Sequence, residues 1–320
     1  MKLNRIAVLI LLALTPLFFT TISGYQTALE KRLWDLGHLP FFMLLSFAFL
    51  PYVKQKMEVS KRPVFVVFKF IVSIFILAAG VEVAQLMVGR TASFSDLRKD
   101  TLGIIITFQV YLLFNGIIDK RWRLSYVLTI LWCLFELYPL SEAVLDRWRM
   151  GKSMPNLANF ETEAELLRWS EGSYERLPSE VLTFSESFAS HPKKINNHVL
   201  KIALNTKRYT GIVGAGLFRD WSEYKVLQFD IYNPNDYPLR LNVKVEDASA
   251  MSGEMVYHDR FNGIYKLLPG SNRIHVSLDE IANAPRERKM DLSAIHRLSF
   301  FFSRLPESSF IYLDNVMLVK

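Results

Sequence analysis

VFVVFKFIVSIFILAAGVEVAQLMV, residues 64–88, decides how the first half of this chain is read. Apart from Lys69 and Ser73 it is apolar or small up to Glu82, and it is long enough as a helix to cross the roughly 30 Å hydrocarbon layer of a bilayer. Glu82 and Gln85 then interrupt the run before Leu86, Met87 and Val88 resume it. Three residues apart, they share one helix face. Polar side chains at that depth face a bundle interior or a water-filled cavity.

Four further runs extend the pattern: 6–23, 36–53, 102–118 and 124–140. Unsatisfied backbone groups are prohibitive in lipid, so five α-helical spans are expected. The first run has a basic start but no small-x-small cleavage site after it, and reads as an uncleaved helix. Lys2, Arg5, Lys54, Lys56, Lys61, Arg62, Lys120, Arg121 and Arg123 fall on one side of these spans; Lys31, Arg32, Arg90, Arg98 and Lys99 fall on the other. The excess of basic residues marks the cytoplasmic side. A multi-pass plasma-membrane protein follows, with its N-terminus cytoplasmic and residues 141–320 extracytoplasmic.

Composition agrees with a change of character along the chain. Residues 1–140 carry 15 Lys and Arg against 8 Asp and Glu, whereas 141–320 carry 23 of each. Basic residues threaded between apolar runs set topology and do not form a nucleic-acid footprint. A single cysteine, Cys133, leaves no intrachain disulfide and no cysteine-based zinc site.

In this orientation one membrane face collects Asp35 and His38, Glu82 and Gln85, then Arg90, Asp96 and Asp100. Ionisable groups at a bilayer edge are costly, which makes the cluster a candidate site. Ser95 or Asp96 also suits a helix N-cap, and Asp35 has the same alternative. Glu136, near the end of the fifth run, is an interfacial residue or a further member.

Glu82-x-x-Gln85, Gly89-Arg90, Asp96, Asp100 and Gly103, preceded by Asp35 and His38, resemble the core signature of VanZ-like membrane proteins over roughly residues 30–120. The chain departs from it in having Asp100 for the usual Asn, no Lys after Asp35, and an Asp–His spacing one residue short. The resemblance implies a cell-envelope protein of the kind tied to teicoplanin-type glycopeptide susceptibility, without implying a reaction.

Residues 141–154 read as a linker that briefly continues the last helix. Beyond it the period changes to two. Leu227, Phe229 and Ile231 alternate with polar neighbours, as do Leu239, Leu241, Val243 and Val245, around the turn Asn233-Pro234-Asn235-Asp236. Further strands are expected over 255–258, 264–268, 274–278, 298–303 and 311–319, with a short helix over 161–169. Many short strands between turn signals predict an antiparallel sandwich over 155–320.

Asn159-Phe160-Glu161, Asp220-Trp221-Ser222-Glu223-Tyr224, Asp259-Arg260-Phe261-Asn262 and Ile311-Tyr312-Leu313-Asp314-Asn315, in that order, resemble galactose-binding-like jelly rolls of carbohydrate-binding modules. The resemblance implies a glycan ligand. Trp221, Tyr224, Tyr257, Phe261 and Tyr265 are the candidate stacking rings, most of them expected to be at least partly core, and Asp259 and Arg260 the candidate hydroxyl partners. It also implies a structural Ca²⁺ on Glu161 and Asp314; no other cofactor is expected. The favoured expectation is a binding or accessory protein, its partners the lipid bilayer and an envelope or lipid-linked glycan. The alternatives are an integral-membrane enzyme acting on a lipid-linked precursor, with Asp35, His38, Glu82 and Asp96 as acid/base groups, and a purely structural anchor.

Overall fold

The computed structural model describes residues 5–18, 27–87, 93–115, 122–170, 173–178, 198–251 and 257–320. The chain divides into two compact units, Met1–Ser23 with Glu30–Ser141, and Gly24–Leu29 with Glu142–Lys320.

The first unit is helical: α1 (Arg5–Leu14), α2 (Ala28–Leu36), α3 (His38–Val59), α4 (Pro63–Met87), α5 (Phe94–Phe114) and α6 (Arg123–Ser153). Phe42, Val53, Ile74, Ala78, Ile104 and Phe108 pack α3, α4 and α5 together. Phe65, Phe68, Ile76, Leu77 and Val83 nonetheless point outward. A helix apolar on every side needs an apolar solvent outside as well as a core inside. Among the described residues, three helical stretches are long and apolar enough to cross a membrane: Ala28–Val59, Val64–Met87 and Arg123–Ser153. The five expected spans therefore reduce to three that meet this test. The described part of α1 is ten residues long. The first two turns of α5 carry Asp96, Arg98, Lys99 and Asp100, which lowers its hydropathy.

Helices α3 and α5 meet at backbone distance. A Cβ added to Gly103 would lie 2.5 Å from the Leu39 carbonyl oxygen, so only glycine permits this approach. One turn further along, Thr107 Oγ1 donates to the Met43 carbonyl at 3.2 Å. Asp100, one turn before Gly103, is thereby held against His38, the neighbour of Leu39. The expected linker is helical instead: α6 runs unbroken through residue 153, past Pro139.

Beyond the end of α6, which it includes from Glu142, the second unit is all-β apart from short helical turns. Its strands are β1 (Asn156–Ala158), β2 (Trp169–Ser170), β3 (Ser173–Pro178), β4 (His198–Leu204), β5 (Tyr209–Gly214), β6 (Val226–Asn233), β7 (Leu239–Asp247), β8 (Phe261–Leu267), β9 (Gly270–Ser277), β10 (Ile295–Ser303) and β11 (Ser309–Val319). One sheet has the order β3-β4-β11-β6-β9 with β1 also on β11; the other is β2-β5-β10-β7-β8. The ladders are antiparallel. Their inner faces share one core, where the Phe229 ring of β6 meets the Phe300 ring of β10 at 4.7 Å.

The predicted strand at 255–258 is corrected in part. Residues 257 and 258 form a turn, and 255 and 256 lie outside the described residues. The predicted helix at 161–169 is a 3-10 helix over Glu163–Arg168, capped by Thr162 and Glu165 in reciprocal hydrogen bonds. Arg168 then donates to both Asp146 oxygens at 3.0 and 2.7 Å and to the Leu157 carbonyl at 2.7 Å. This buried, bidentate pair fixes the end of α6 against the opening of the sandwich.

Gly103→Ala is expected to destabilise the helical unit by about 1–3 kcal/mol, because backbone has to move. The check is the thermal midpoint of the detergent-solubilised chain. Gly80→Ala, where an added Cβ meets nothing within 4 Å, should leave the midpoint unchanged or raise it.

Candidate functional site

The helical unit gathers its polar residues where α3, α4 and α5 come together. His38 opens α3 and is buried, with Nδ1 3.0 Å from Asp100 Oδ1 and Nε2 3.7 Å from Asp96 Oδ2. Asp100 is fully buried on α5. Asp96 Oδ1 accepts from Lys99 Nζ at 3.1 Å, and the same ammonium donates to Ser95 Oγ at 2.9 Å. Glu82, buried on α4, accepts the Ser93 backbone N–H at 2.8 Å through Oε2, while Oε1 is buried with no hydrogen-bond partner among the described residues. His38, Glu82 and Asp96 each place one potential ligand atom within 4.8 Å of the others.

Each sequence-predicted member of this cluster has a definite place, with one exception. His38, Glu82, Asp96 and Asp100 converge as just described. Gln85 is buried one turn beyond Glu82. Asp96 does not act as the N-cap of α5; Ser93 does, accepting from the Asp96 N–H at 3.4 Å. Asp35 lies in α2 and His38 opens α3, on either side of Gly37, whose φ of −57° and ψ of −25° keep the two helices in one stretch. Asp35 instead lines a cavity of about 170 Å³ with Arg32, Arg98 and Glu136. Arg98 grips Glu136 at 2.8 and 3.3 Å, so Glu136 ties α6 to α5. Arg90 lies outside the described residues. Lys99 and Ser93 were not legible as partners, since each reads as an ordinary loop or helix-start residue until α4 and α5 are packed.

The second candidate site is the outer face of the five-stranded sheet. Leu298, Phe300 and Phe302 of β10 point into the core, so Ser299, Phe301 and Ser303 point out. Leu241, Val243 and Val245 of β7 do likewise, turning Asn242 and Lys244 outward. Register aligns these positions across the sheet. Val213, Ser299, Lys244 and Asn262 form one row; Gly211, Phe301, Asn242 and Ile264 form the next. Gly211 is required there, since an added Cβ would collide with the Phe300 carbonyl. Tyr209 meets Phe301 edge to face at 5.9 Å and is 58 % exposed. Tyr257, 60 % exposed, and Arg260 bound the far side. The resulting groove has a volume of about 780 Å³.

The groove is basic. Lys207, Lys244 and Arg260 line it, with no carboxylate among its described lining residues. At its edge the buried Glu246 carboxylate is surrounded by Lys244 at 3.2 Å, Arg260 at 3.1 Å and Arg297 at 3.0 Å. Burial lowers the pKa of Lys244; Glu246 opposes that shift, and Arg260 and Arg297 add to it.

Only two of the seven sequence-predicted ligand residues, Tyr257 and Arg260, line this groove, and Phe261 is buried in the core. Trp221 is fully buried in the core, its Nε1 donating to the Phe218 carbonyl at 2.7 Å. Tyr224 and Tyr265 pack against that core. Asp259 is held by Arg288 at 2.6 and 3.1 Å. The two proposed calcium ligands have other partners. Glu161 lies 3.4 Å from His198 Nδ1, and buried Asp314 accepts the Asn315 N–H at 2.7 Å. Neither belongs to a group of three clustered metal-ligating side chains among the described residues.

Residues 3–115 match the VanZ/LLP1 family model. Comparison with curated proteins returns no match. Among solved structures, the chain is similar to an exo-beta-agarase at 17 % identity and TM-score 0.39, covering 51 % of this chain and 24 % of that one. A second agarase matches at 17 % identity and TM-score 0.37, covering 52 % and 26 %. The family 11 carbohydrate-binding module from Clostridium thermocellum, in complex with a beta-1,3-1,4-mixed-linked tetrasaccharide, matches at 16 % identity and TM-score 0.35, covering 51 % and 94 %. The chain thus spans about a quarter of the length of the agarases.

Arg288 also donates to both oxygens of Asp247, clipping the 257–260 turn to the end of β7. Burial pushes the Asp247 carboxyl up, but Arg288 and the N–H groups of Asp291 and Ala250 together hold it below the usual range. A depressed folded-state pKa contributes stability that is present above the unfolded value, near 3.9, and lost as pH falls through the folded one. Arg288→Ala should therefore shift acid unfolding of the sandwich to higher pH, followed by Trp fluorescence. An unchanged acid midpoint would remove Arg288 from this role.

Proposed function

We propose that the sandwich binds an extended glycan carrying acidic groups along the groove of its five-stranded sheet, and that the helices hold this binding domain in the membrane. The observation that carries the reading is the outward grid of the sheet. It sets the exposed rings of Tyr209 and Tyr257 and the half-buried ring of Phe301 beside two amides and a hydroxyl (Asn242, Asn262, Ser303) in one open trough. Sugar rings offer apolar C–H faces and a rim of hydroxyls. A ligand of that kind needs flat apolar platforms with polar groups at fixed spacing between them. An open trough suits a chain that enters and leaves at both ends.

The surplus positive charge narrows the ligand to acidic glycans. Lys244 and Arg260 crowd a single carboxylate, and an anionic substituent on the sugar relieves that crowding. On this reading the protein is a binding or accessory protein of the cell envelope. The excess of basic residues in the loops on the N-terminal side supports a cytoplasmic N-terminus and an extracytoplasmic sandwich. We further read α1 and α5 as completing a five-span bundle and the sandwich as a jelly roll.

The test is calorimetric titration of the full-length protein in detergent with polygalacturonate, and with amylose as a neutral counterpart. Polygalacturonate should bind, with affinity falling as salt rises. Tyr257→Ala and Tyr209→Ala should each weaken binding about tenfold or more, equivalent to about 1.4 kcal/mol. Lys244→Met should reduce the salt dependence, with Lys207 and Arg260 supplying what remains. Binding untouched by all three substitutions, or none at all to either polymer, would overturn the assignment.

A further inference from the structure

We propose that the helical unit holds a divalent first-row metal cation between His38, Glu82 and Asp96. The three residues come from three different helices, and their ligand atoms lie within 4.8 Å of one another. They surround a common point at a spacing that small side-chain rotations close to metal–ligand distances of about 2.0–2.2 Å. The inference is independent of the glycan reading.

Three observations point to a cation and not to a purely structural network. The first is the state of Glu82. Its Oε2 is fixed by the Ser93 N–H at 2.8 Å, and its Oε1 is buried with no hydrogen-bond partner among the described residues. A buried carboxylate oxygen left without a donor is expensive, and a metal ion satisfies it.

The second is the orientation of His38. In the tautomer in which Nδ1 donates to Asp100 Oδ1, 3.0 Å away, the lone pair of Nε2 is directed to the side where Asp96 Oδ2 stands, at 3.7 Å. A carboxylate behind a histidine, fixing its tautomer, is the usual second-shell support of a metal-bound imidazole.

The third is charge. Among the described residues, the buried Glu82 and Asp100 and the half-buried Asp96 bring three carboxylates together, and Lys99 supplies one ammonium, on Asp96 Oδ1. With a neutral imidazole the sum is minus two, which a divalent cation cancels. One imidazole nitrogen and two carboxylate oxygens, with no thiolate, suit Zn²⁺ or Mn²⁺. Three protein ligands also leave a coordination position open to water or to a ligand oxygen.

The competing arrangement is an imidazolium at His38 bridging Asp96 and Asp100 with no metal. Full-length protein purified in detergent, stripped with EDTA and desalted, separates the two. It is titrated with ZnCl₂ and, separately, MnCl₂, and retained metal is measured by elemental analysis after a second desalting. The proposal expects about one equivalent retained and a raised thermal midpoint. His38→Gln and Glu82→Gln should abolish retention, and Asp96→Asn should weaken it at least tenfold. Asp100→Asn, which acts through the histidine, should weaken it about 10–100-fold. Asp35→Asn should retain the full equivalent.

Asp96 is the least buried of the three ligands, so its variant disturbs folding least and decides the matter if the others do not fold. Retention well below one equivalent in the wild type, or equal retention in Asp96→Asn and the wild type, would overturn the site and favour the imidazolium bridge.

Discussion

The two-residue period of β7 and β10 is the constraint on which the sandwich depends. Leu241, Val243 and Val245 on one strand, and Leu298, Phe300 and Phe302 on the other, are all essentially removed from water. Each such side chain contributes about 1.5–3 kcal/mol of burial. A register slip of one residue would turn all of them outward, so the pairing has little freedom. What the core fixes on one face it also fixes on the other. Asn242, Lys244, Ser299 and Phe301 line the groove because their neighbours are committed to the interior.

The helical unit works from a different constraint. Its outward face is apolar, so polar groups are tolerated only where they satisfy one another inside. Gly103 sets the place by letting the α3 backbone come within van der Waals distance of α5. His38 and Asp100 then meet at 3.0 Å, and the end of α4 delivers Glu82 to the same level. Removing a partner from such a cluster strands a buried charge, which costs more than the pair contributes.

Much of this was legible in the sequence, and the losses have physical causes. The E-x-x-Q break in an apolar run located Glu82 and Gln85, and the alternation from Leu239 to Val245 located β7. Strands β4 and β5 are not among the expected strands, since adjacent Val199 and Leu200 blur the two-residue period of His198–Leu204 and Tyr209–Gly214 contains a glycine that reads as a breaker. Trp221 and Tyr224 attracted attention as aromatics near a turn. Their fate is decided by how an irregular segment folds over the core, which no local period encodes. The polar partners of β7 stood in plain view but were treated as the solvated face of a strand. Only the register with β5, β8 and β10 shows that they face a trough.

The central claim is that the sheet face is the ligand surface. Tyrosine nitration of the full-length protein by tetranitromethane, with and without polygalacturonate, tests it by mapping modified residues with mass spectrometry. The account predicts that Tyr209 and Tyr257, the exposed rings at either side of the groove, lose modification together when the glycan is present. Protection of neither ring under saturating glycan, or protection confined to tyrosines off this face such as Tyr224 and Tyr237, would contradict it.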